Sequence, residues 1–157
     1  MVTEQIPLLP ALDARALDGT NYRLPNDLGA ARNIVAVAFQ KHQQSDVDSW
    51  LDDFARLEAE HADLISYEMP TMSRRWGPAR SFIDGGMTAA IPDPKARART
   101  ITVYTDVGRV LDSLGLPDTE EIAVILCDRD GVVEWMERGE RTEAAAASLR
   151  AALTDGR

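Results

Sequence analysis

The sequence is poor in cysteine: Cys127 is its only thiol among 157 residues. A single cysteine excludes an intramolecular disulfide and any C-x-x-C motif, whether used for redox exchange or for zinc. Long hydrophobic runs are also missing, since no apolar stretch approaches the roughly 20 residues that a membrane helix needs. The opening residues, MVTEQIPLLP, carry no positive charge ahead of a hydrophobic core, which is unlike a secretory signal. We therefore expect a cytoplasmic protein that does not insert into membranes.

Positive charge is scarce as well. The net charge is −9 and the isoelectric point is near 4.7. These values argue against binding to nucleic acid or to anionic membranes, because both carry dense negative charge. A protein or a small molecule is the expected partner, and a homodimer is compatible with the sequence. The length and the 45% hydrophobic content suit one domain, predicted to span residues 1–157.

The chain is organised around a buried strand that leads into an amphipathic helix. Ile34–Phe39 is a continuous, β-branched apolar run, which is typical of a central strand covered on both faces. Ser45 and Asp48 form a capping-box pattern, so we expect the helix to begin near Asp46. Its predicted apolar stripe consists of Val47, Trp50, Leu51, Phe54 and Leu57. Lys41–Gln44 then forms a loop beyond the carboxyl end of the strand, where ligands bind in open α/β sheets.

The other elements follow from alternation, helical periodicity and turn residues. We predict first a hairpin over Leu12–Leu24 and, after the amphipathic helix, a strand Leu64–Met69 that Pro70 ends. A helix follows from Ser73; its inward face includes Trp76, and Gly85-Gly86 interrupts or ends it. The remaining predicted elements are a strand Thr100–Tyr104, a short helix capped by Asp106 and Gly115, a hairpin over Ile122–Met136 and a last helix capped by Thr142. The predicted order is βββαβαβαββα, an α/β domain.

This order resembles the thioredoxin-like proteins of the peroxiredoxin (AhpC/TSA) and thiol reductase type. The most recognisable pieces are VYTD at Val103–Asp106 and VILCDRDGVV at Val124–Val133. The resemblance spans about Leu12 to Leu153. It implies a thioredoxin-like fold: a central mixed sheet flanked by helices, with an N-terminal β-hairpin and an inserted αβ unit.

Two features of that family are missing. The family carries its reactive cysteines in the loop after the first central strand, whereas Phe39–Asp48 contains no sulfur. The family also places a cis-proline before the penultimate strand, whereas Thr119–Ala123 contains no proline. The resemblance therefore implies a redox-degenerate member that acts as a binding or assembly module through the former active-site face. Ile91-Pro92-Asp93 with Arg99-Thr100 also resembles the thioredoxin-like domain of mitochondrial ATP synthase assembly factors.

The candidate contacts at the former active site are His42, Gln43, Gln44 and Asp48, which crowd one helix start. Amides and free N–H groups at a helix amino terminus can hold a partner group. Nearby aspartates favour a neutral or cationic partner over an anion. Simple capping explains Asp48 equally well.

A second set of candidate contacts is Arg80, Asp84 and Arg99. Arg80 and Asp84 are four residues apart and can pair on a helix surface. The double glycine Gly85-Gly86 suggests close approach of the backbone to a ligand or to the sheet. We expect this stretch to form one wall of a pocket whose other wall is the His42-Gln43 loop.

Two enzymatic alternatives remain open. A thiol peroxidase or disulfide reductase would work through Cys127 or a partner's thiol, but Cys127 ends an apolar strand, which is typical of a buried core residue. A non-redox enzyme would use His42 with Asp48 or Asp84. His42 and His61 lie a helix apart and cannot share a zinc ion. No cofactor is expected.

Overall fold

A computed structural model of the protein describes residues 6–155. Its strands are β1 Leu12–Ala16, β2 Asn21–Leu24, β3 Arg32–Ala38, β4 Leu64–Ser73, β5 Ile101–Thr105, β6 Ala123–Cys127 and β7 Val133–Arg138. Its α-helices are α1 Gln44–Asp48, α2 Leu51–Glu60, α3 Arg80–Ala90, α4 Pro94–Ala98, α5 Val107–Leu114 and α6 Glu143–Asp155. The 3-10 helices Lys41–Gln43 and Arg74–Ala79 precede α1 and α3. With adjacent helices grouped, the order is the predicted βββαβαβαββα.

The strands form one mixed sheet in the order β2-β1-β5-β4-β3-β6-β7. β3 runs parallel to β4 and antiparallel to β6, while β4 runs parallel to β5. The hairpins β1–β2 and β6–β7 lie at the two edges. The predicted central mixed sheet and N-terminal hairpin are therefore confirmed. The inserted αβ unit is confirmed too, since α3, α4 and β5 follow β4 in the chain.

β3 is covered on both faces, as its apolar sequence predicts. Val35 and Val37 point into a core built with the N-terminal hairpin and α5. Ile34 and Ala36 point into a second core built with α1, α2 and α6. All four are 0% exposed. Because successive side chains of a strand point to opposite faces, one apolar run serves both cores.

The amphipathic helix after β3 is confirmed, but its start differs from the prediction. Val47, Trp50, Phe54 and Leu57 are buried and Leu51 is half-buried. Helical structure already begins with the 3-10 turn at Lys41, so Ser45 lies inside α1 and does not cap it. Asp48 does not reach back to a backbone N–H; it accepts a hydrogen bond from the Gln44 side chain at 2.9 Å.

Pro70 does not end the second central strand. β4 continues to Ser73 because Pro70 stands opposite Ala38, the last residue of β3. The pairing with β3 ends at that point, where a missing N–H is tolerated. Thr71–Ser73 then pair with β5.

Two expectations for the inserted unit are wrong. Gly85 and Gly86 lie inside α3 without interrupting it, and a Cβ at either position would meet no atom within 4 Å. They therefore mark no close backbone approach. Trp76 is 54% exposed, because the segment before α3 is a 3-10 helix and breaks the predicted α-helical stripe.

The remaining predicted caps are confirmed. Asp106 accepts from the backbone N–H of Arg109, and Gly115 adopts the left-handed conformation at a φ of 71°. Thr142 accepts from the backbone N–H of Ala145 at 3.0 Å. Within residues 6–155, no helix is both long enough and apolar enough to cross a membrane.

Candidate functional site

The loop after β3 is closed by its own glutamine side chains. Gln43 is 1% exposed, and its side-chain oxygen accepts hydrogen bonds from the backbone N–H groups of Phe39 at 2.8 Å and Gln40 at 3.2 Å. The amide nitrogens of Gln43 and Gln40 donate to the carbonyl of Thr119 at 2.8 and 3.0 Å. The expectation that Gln43 contacts a partner is therefore corrected, because its buried oxygen and nitrogen are engaged within the fold.

His42 is exposed on the 3-10 turn that precedes α1. It lines neither of the two clefts described below, one of which contains Asp84. An enzyme that used His42 with Asp84 would need one pocket that contains both residues, and the cleft that contains Asp84 does not contain His42. Across residues 6–155, no group of three or more histidine, cysteine, aspartate or glutamate side chains could hold a metal ion.

Cys127 lies at the end of the sheet remote from that turn. It pairs with Asn33 near the start of β3, whereas the turn follows the end of β3 at Ala38. At about 3.3 Å per residue, the two positions are roughly 17 Å apart along the strand. Cys127 is 0% exposed, and its burial, followed by the nearby Asp128 carboxylate, raises the pKa of its thiol to about 12. This environment is the opposite of one that produces a reactive thiolate.

Arg80 and Asp84 tie α3 to β5. They pair at 3.4 Å, and Asp84 also accepts hydrogen bonds from the hydroxyls of Thr102 at 3.0 Å and Tyr104 at 2.8 Å. The Arg80 guanidinium lies 4.8 Å from the centre of the Tyr104 ring. Burial, and then the hydrogen bond to Asp84, raise the pKa of Tyr104. These contacts join the inserted unit to the sheet.

A small cleft of about 180 Å³ lies beside this network, between α3 and the N-terminal hairpin. It is lined by Arg15, Ala16, Leu17, Gly19, Arg80, Ser81, Asp84, Gly85 and Thr88. Neither His42 nor Gln43 belongs to it. The predicted pocket with Arg80 on one wall and the His42-Gln43 loop on the other is therefore wrong, because α3 faces the hairpin.

A larger cleft of about 290 Å³ lies between α2, β4 and α4. We call it the charged cleft. It is lined by Leu51, Phe54, Ala55, Glu58, Ser66, Tyr67, Glu68, Asp93, Lys95, Ala96 and Arg99. The inserted unit supplies one wall and the amphipathic helix after β3 supplies the other.

Arg99 is held in the charged cleft by two acceptors on its neighbours. Its Nη1 donates to Glu58 Oε1 at 2.9 Å and to the Ser66 carbonyl at 3.1 Å. The Ser66 hydroxyl donates to the other Glu58 oxygen at 2.6 Å. Both oxygens of Glu58 are therefore satisfied, and the pair fixes the direction of the Arg99 guanidinium.

The Glu68 carboxylate, unlike that of Glu58, forms no ion pair with an arginine or a lysine of the described residues. Its Oε1 accepts one hydrogen bond, from the Gln44 amide at 3.1 Å, and that amide also donates to Asp48. Among residues 6–155, no lysine or arginine lies within ion-pair distance of it. Burial is the main cause of a raised pKa for Glu68; the Gln44 hydrogen bond opposes this rise and the Asp48 charge adds to it.

Of the predicted contacts, Arg99 lines the charged cleft. Gln44 donates a hydrogen bond to Glu68 at the cleft, and Asp48 accepts one from the same Gln44 nitrogen without lining the cleft itself. Sequence reasoning missed Glu58 and Glu68. The sequence contained a signal for each residue. Glu58 falls on the apolar stripe, four residues after Phe54, and Glu68 interrupts the otherwise apolar end of the strand predicted at Leu64–Met69.

The fold is similar to several solved structures. A thiol:disulfide interchange protein from Bacteroides sp. matches with a TM-score of 0.63 at 16% identity, covering 100% of this chain and 95% of that one. The thioredoxin domain of a thiol-disulfide oxidoreductase from Bacteroides vulgatus matches with a TM-score of 0.62 at 19% identity, covering 96% and 98%. BsSco, a member of the Sco family of cytochrome c oxidase assembly proteins, matches with a TM-score of 0.61 at 12% identity, covering 98% of each chain.

These similarities show a thioredoxin-like fold, as the sequence predicts. No family model matches the chain. No curated protein matches it either.

Proposed function

We propose that this chain is a thioredoxin-like binding or assembly module without thiol chemistry of its own, and that its ligand or partner binds in the charged cleft. The proposal rests on one observation, the partly buried and unpaired carboxylate of Glu68. A carboxylate that is partly withdrawn from water and forms no ion pair costs stability. Such groups occur preferentially at functional sites. Glu68 lines a cleft beside the helix that replaces the family's cysteine loop.

The state of the former active site supports the same proposal. The Gln43 and Gln40 side chains fill the space between the 3-10 turn and Thr119. A cysteine loop needs that space open, so that a substrate can reach the thiolate. We therefore expect binding on this side of the fold in the neighbouring charged cleft, which Arg99 lines and which Gln44 borders through its hydrogen bond to Glu68.

The thiol-dependent alternative through Cys127 has no comparable support. Its side chain is fully buried at the far end of β3, and its raised pKa keeps it protonated at neutral pH. For the alternative that pairs His42 with Asp48 or Asp84, neither of the two described clefts contains His42 or Asp48.

The proposal is tested by obstructing the charged cleft. Ala55 is exposed on α2 and lines the cleft, so an Ala55→Arg variant places a long side chain in its mouth. Ala59 is exposed on the same helix and does not line the cleft, so Ala59→Arg is the matched control. Affinity purification from lysate, followed by native mass spectrometry, compares the proteins and small molecules that both variants retain with those that the unmodified protein retains.

We expect Ala55→Arg to lose the species that the unmodified protein captures, while Ala59→Arg retains them. Circular dichroism checks that both variants fold. Equal capture by the two folded variants would contradict binding in the charged cleft.

A further inference from the structure

Five charged residues line the charged cleft, and two of them, Glu68 and Arg99, are opposite charges that lie close together without pairing. The backbone N–H of Glu68 donates to the carbonyl of Arg99 at 2.9 Å, so the two residues are neighbours, and both line the cleft. Their side chains nevertheless form no ion pair within 4.0 Å. Two opposite charges in a cleft normally approach each other and form an ion pair, unless other contacts hold them apart.

Arg99 is held away from Glu68 by its contacts with Glu58 and Ser66. Those contacts use Nη1 alone. Among the described residues, the Nε and Nη2 groups of Arg99 donate to no acceptor. A guanidinium fixed by one nitrogen and open at the others is suited to a carboxylate, which it can bind through two parallel hydrogen bonds.

Glu68 is held by Gln44 through one of its two oxygens. The other oxygen, Oε2, accepts no hydrogen bond from residues 6–155. Asp48 lies on the far side of the same Gln44 amide and adds negative charge. This arrangement favours a cationic hydrogen-bond donor, such as an ammonium group, over an anion.

The walls between the two charges include apolar groups. Leu51, Phe54 and Ala55 line the cleft from α2. The cleft volume of about 290 Å³ lies just below the range of roughly 300–1,000 Å³ that ligand pockets occupy, so we expect a small ligand.

We propose that the charged cleft binds a small zwitterion, an α-amino acid with an apolar side chain. Its carboxylate binds Arg99, its ammonium group binds Glu68 Oε2, and its side chain packs against Leu51, Phe54 and Ala55. This inference rests on the proposed function, because it names the class of ligand for the same cleft.

The probes that test this are L-leucine, L-leucinamide and N-acetyl-L-leucine, followed by calorimetry and by NMR shifts of the cleft residues. Leucinamide lacks the carboxylate and N-acetylleucine lacks the ammonium group. We expect leucine to bind, and each analogue to bind at least about tenfold more weakly, because each loses one charge-assisted contact.

A variant of Glu68 tests the contact with the ammonium group. Glu68→Gln should weaken leucine binding about tenfold or more while leaving the weak binding of N-acetylleucine unchanged, because that analogue has no ammonium group. Asp52→Asn, an exposed position on α2 outside the cleft, is the control and should bind leucine as the unmodified protein does.

The outcomes separate this inference from the proposed function. Leucinamide binding as tightly as leucine would overturn the zwitterion. The absence of binding by all three probes would also overturn the zwitterion proposal. If Ala55→Arg still abolished capture of a partner in that case, the proposed binding module would stand without the amino-acid ligand. If no probe bound and Ala55→Arg captured the same species as Ala59→Arg, both proposals would fail.

Discussion

The side-chain nitrogen of Gln43 donates a hydrogen bond of 2.8 Å to the backbone carbonyl of Thr119, 76 residues later in the chain. This contact joins the helix start after β3 to the segment before β6. The sequence resemblance to the peroxiredoxin and thiol reductase type implies that these two places correspond to those of the family's reactive cysteines and cis-proline. A buried amide here stabilises the junction that thiol chemistry would need to keep accessible.

Replacing Gln43 should therefore destabilise the protein. Gln43→Ala leaves the Phe39 and Gln40 N–H groups and the Thr119 carbonyl with fewer partners in a buried place. We expect the free energy of unfolding to fall by at least about 2 kcal/mol, since each unsatisfied buried group costs about 1–3 kcal/mol. Urea denaturation measures the change.

The neighbouring residue provides the control for that prediction. His42 is exposed and its side chain makes no hydrogen bond to the described residues, so His42→Ala should change stability by less than about 0.5 kcal/mol. Equal losses in the two variants would show that the Gln43 contacts do not hold the loop closed.

Glu68→Gln should stabilise the protein at neutral pH. Burial raises the pKa of Glu68 above the 4.5 of an unfolded glutamate, so the unfolded chain ionises first as the pH rises. Stability is therefore lost between pH 4.5 and the raised folded pKa, and it stays lost above that pKa. Glutamine carries no such penalty. The stability difference should be near zero at about pH 4 and positive at about pH 7.5, as measured by urea denaturation.

Glu60→Gln, at an exposed position on α2, supplies the comparison for Glu68→Gln. It should show no gain that grows with pH. A Glu68→Gln variant that is less stable than the unmodified protein at neutral pH would mean that the carboxylate has a stabilising partner.

Gly85 and Gly86 should be replaceable by alanine with a gain in stability. Both lie inside α3, and a Cβ at either position meets no atom within 4 Å. Alanine is favoured over glycine in a helix interior by about 1 kcal/mol, so the double variant should gain about 1–2 kcal/mol. Thermal and urea unfolding measure this gain. A loss of stability would instead show that the glycines are needed by a contact outside the described chain.

Much of the fold could be predicted from the sequence, because local signals agree with the tertiary packing. The apolar run at β3, the stripe of the following helix and the turn at Asp18-Gly19 each determine one element. The misplaced boundaries arose where tertiary contacts override local rules. For example, Gln43 donates a hydrogen bond to Thr119 and belongs to a 3-10 turn that begins at Lys41, so helical structure begins before the predicted cap at Ser45.

The site was predicted only in part, for a geometric reason. Gln44, Asp48 and Arg99 were selected by their position near helix and strand ends. Arg99 lines the charged cleft, whereas Gln44 is linked to it only through its hydrogen bond to Glu68, and Asp48 only through Gln44. Arg80 and Asp84 were assigned to the same pocket because sequence spacing cannot show which side of the sheet α3 covers. Glu68 was missed because its importance depends on its burial and on the absence of an ion pair, neither of which the sequence shows.

Cys127 should react slowly with thiol reagents in the native protein. With its pKa at about 12, roughly one part in ten thousand is thiolate at about pH 8, and the side chain is buried besides. Labelling with an alkylating reagent should become fast only in denaturant. Equally fast labelling of native and denatured protein would show that the thiol is accessible.

The central claim is that the thioredoxin-like fold is retained without thiol chemistry. Peroxide consumption by the unmodified protein and by Cys127→Ala, in the presence of a dithiol reductant, tests it most directly. The account predicts that both proteins consume peroxide at the rate of the reductant alone. Turnover by the unmodified protein that is lost in a folded Cys127→Ala variant would contradict it.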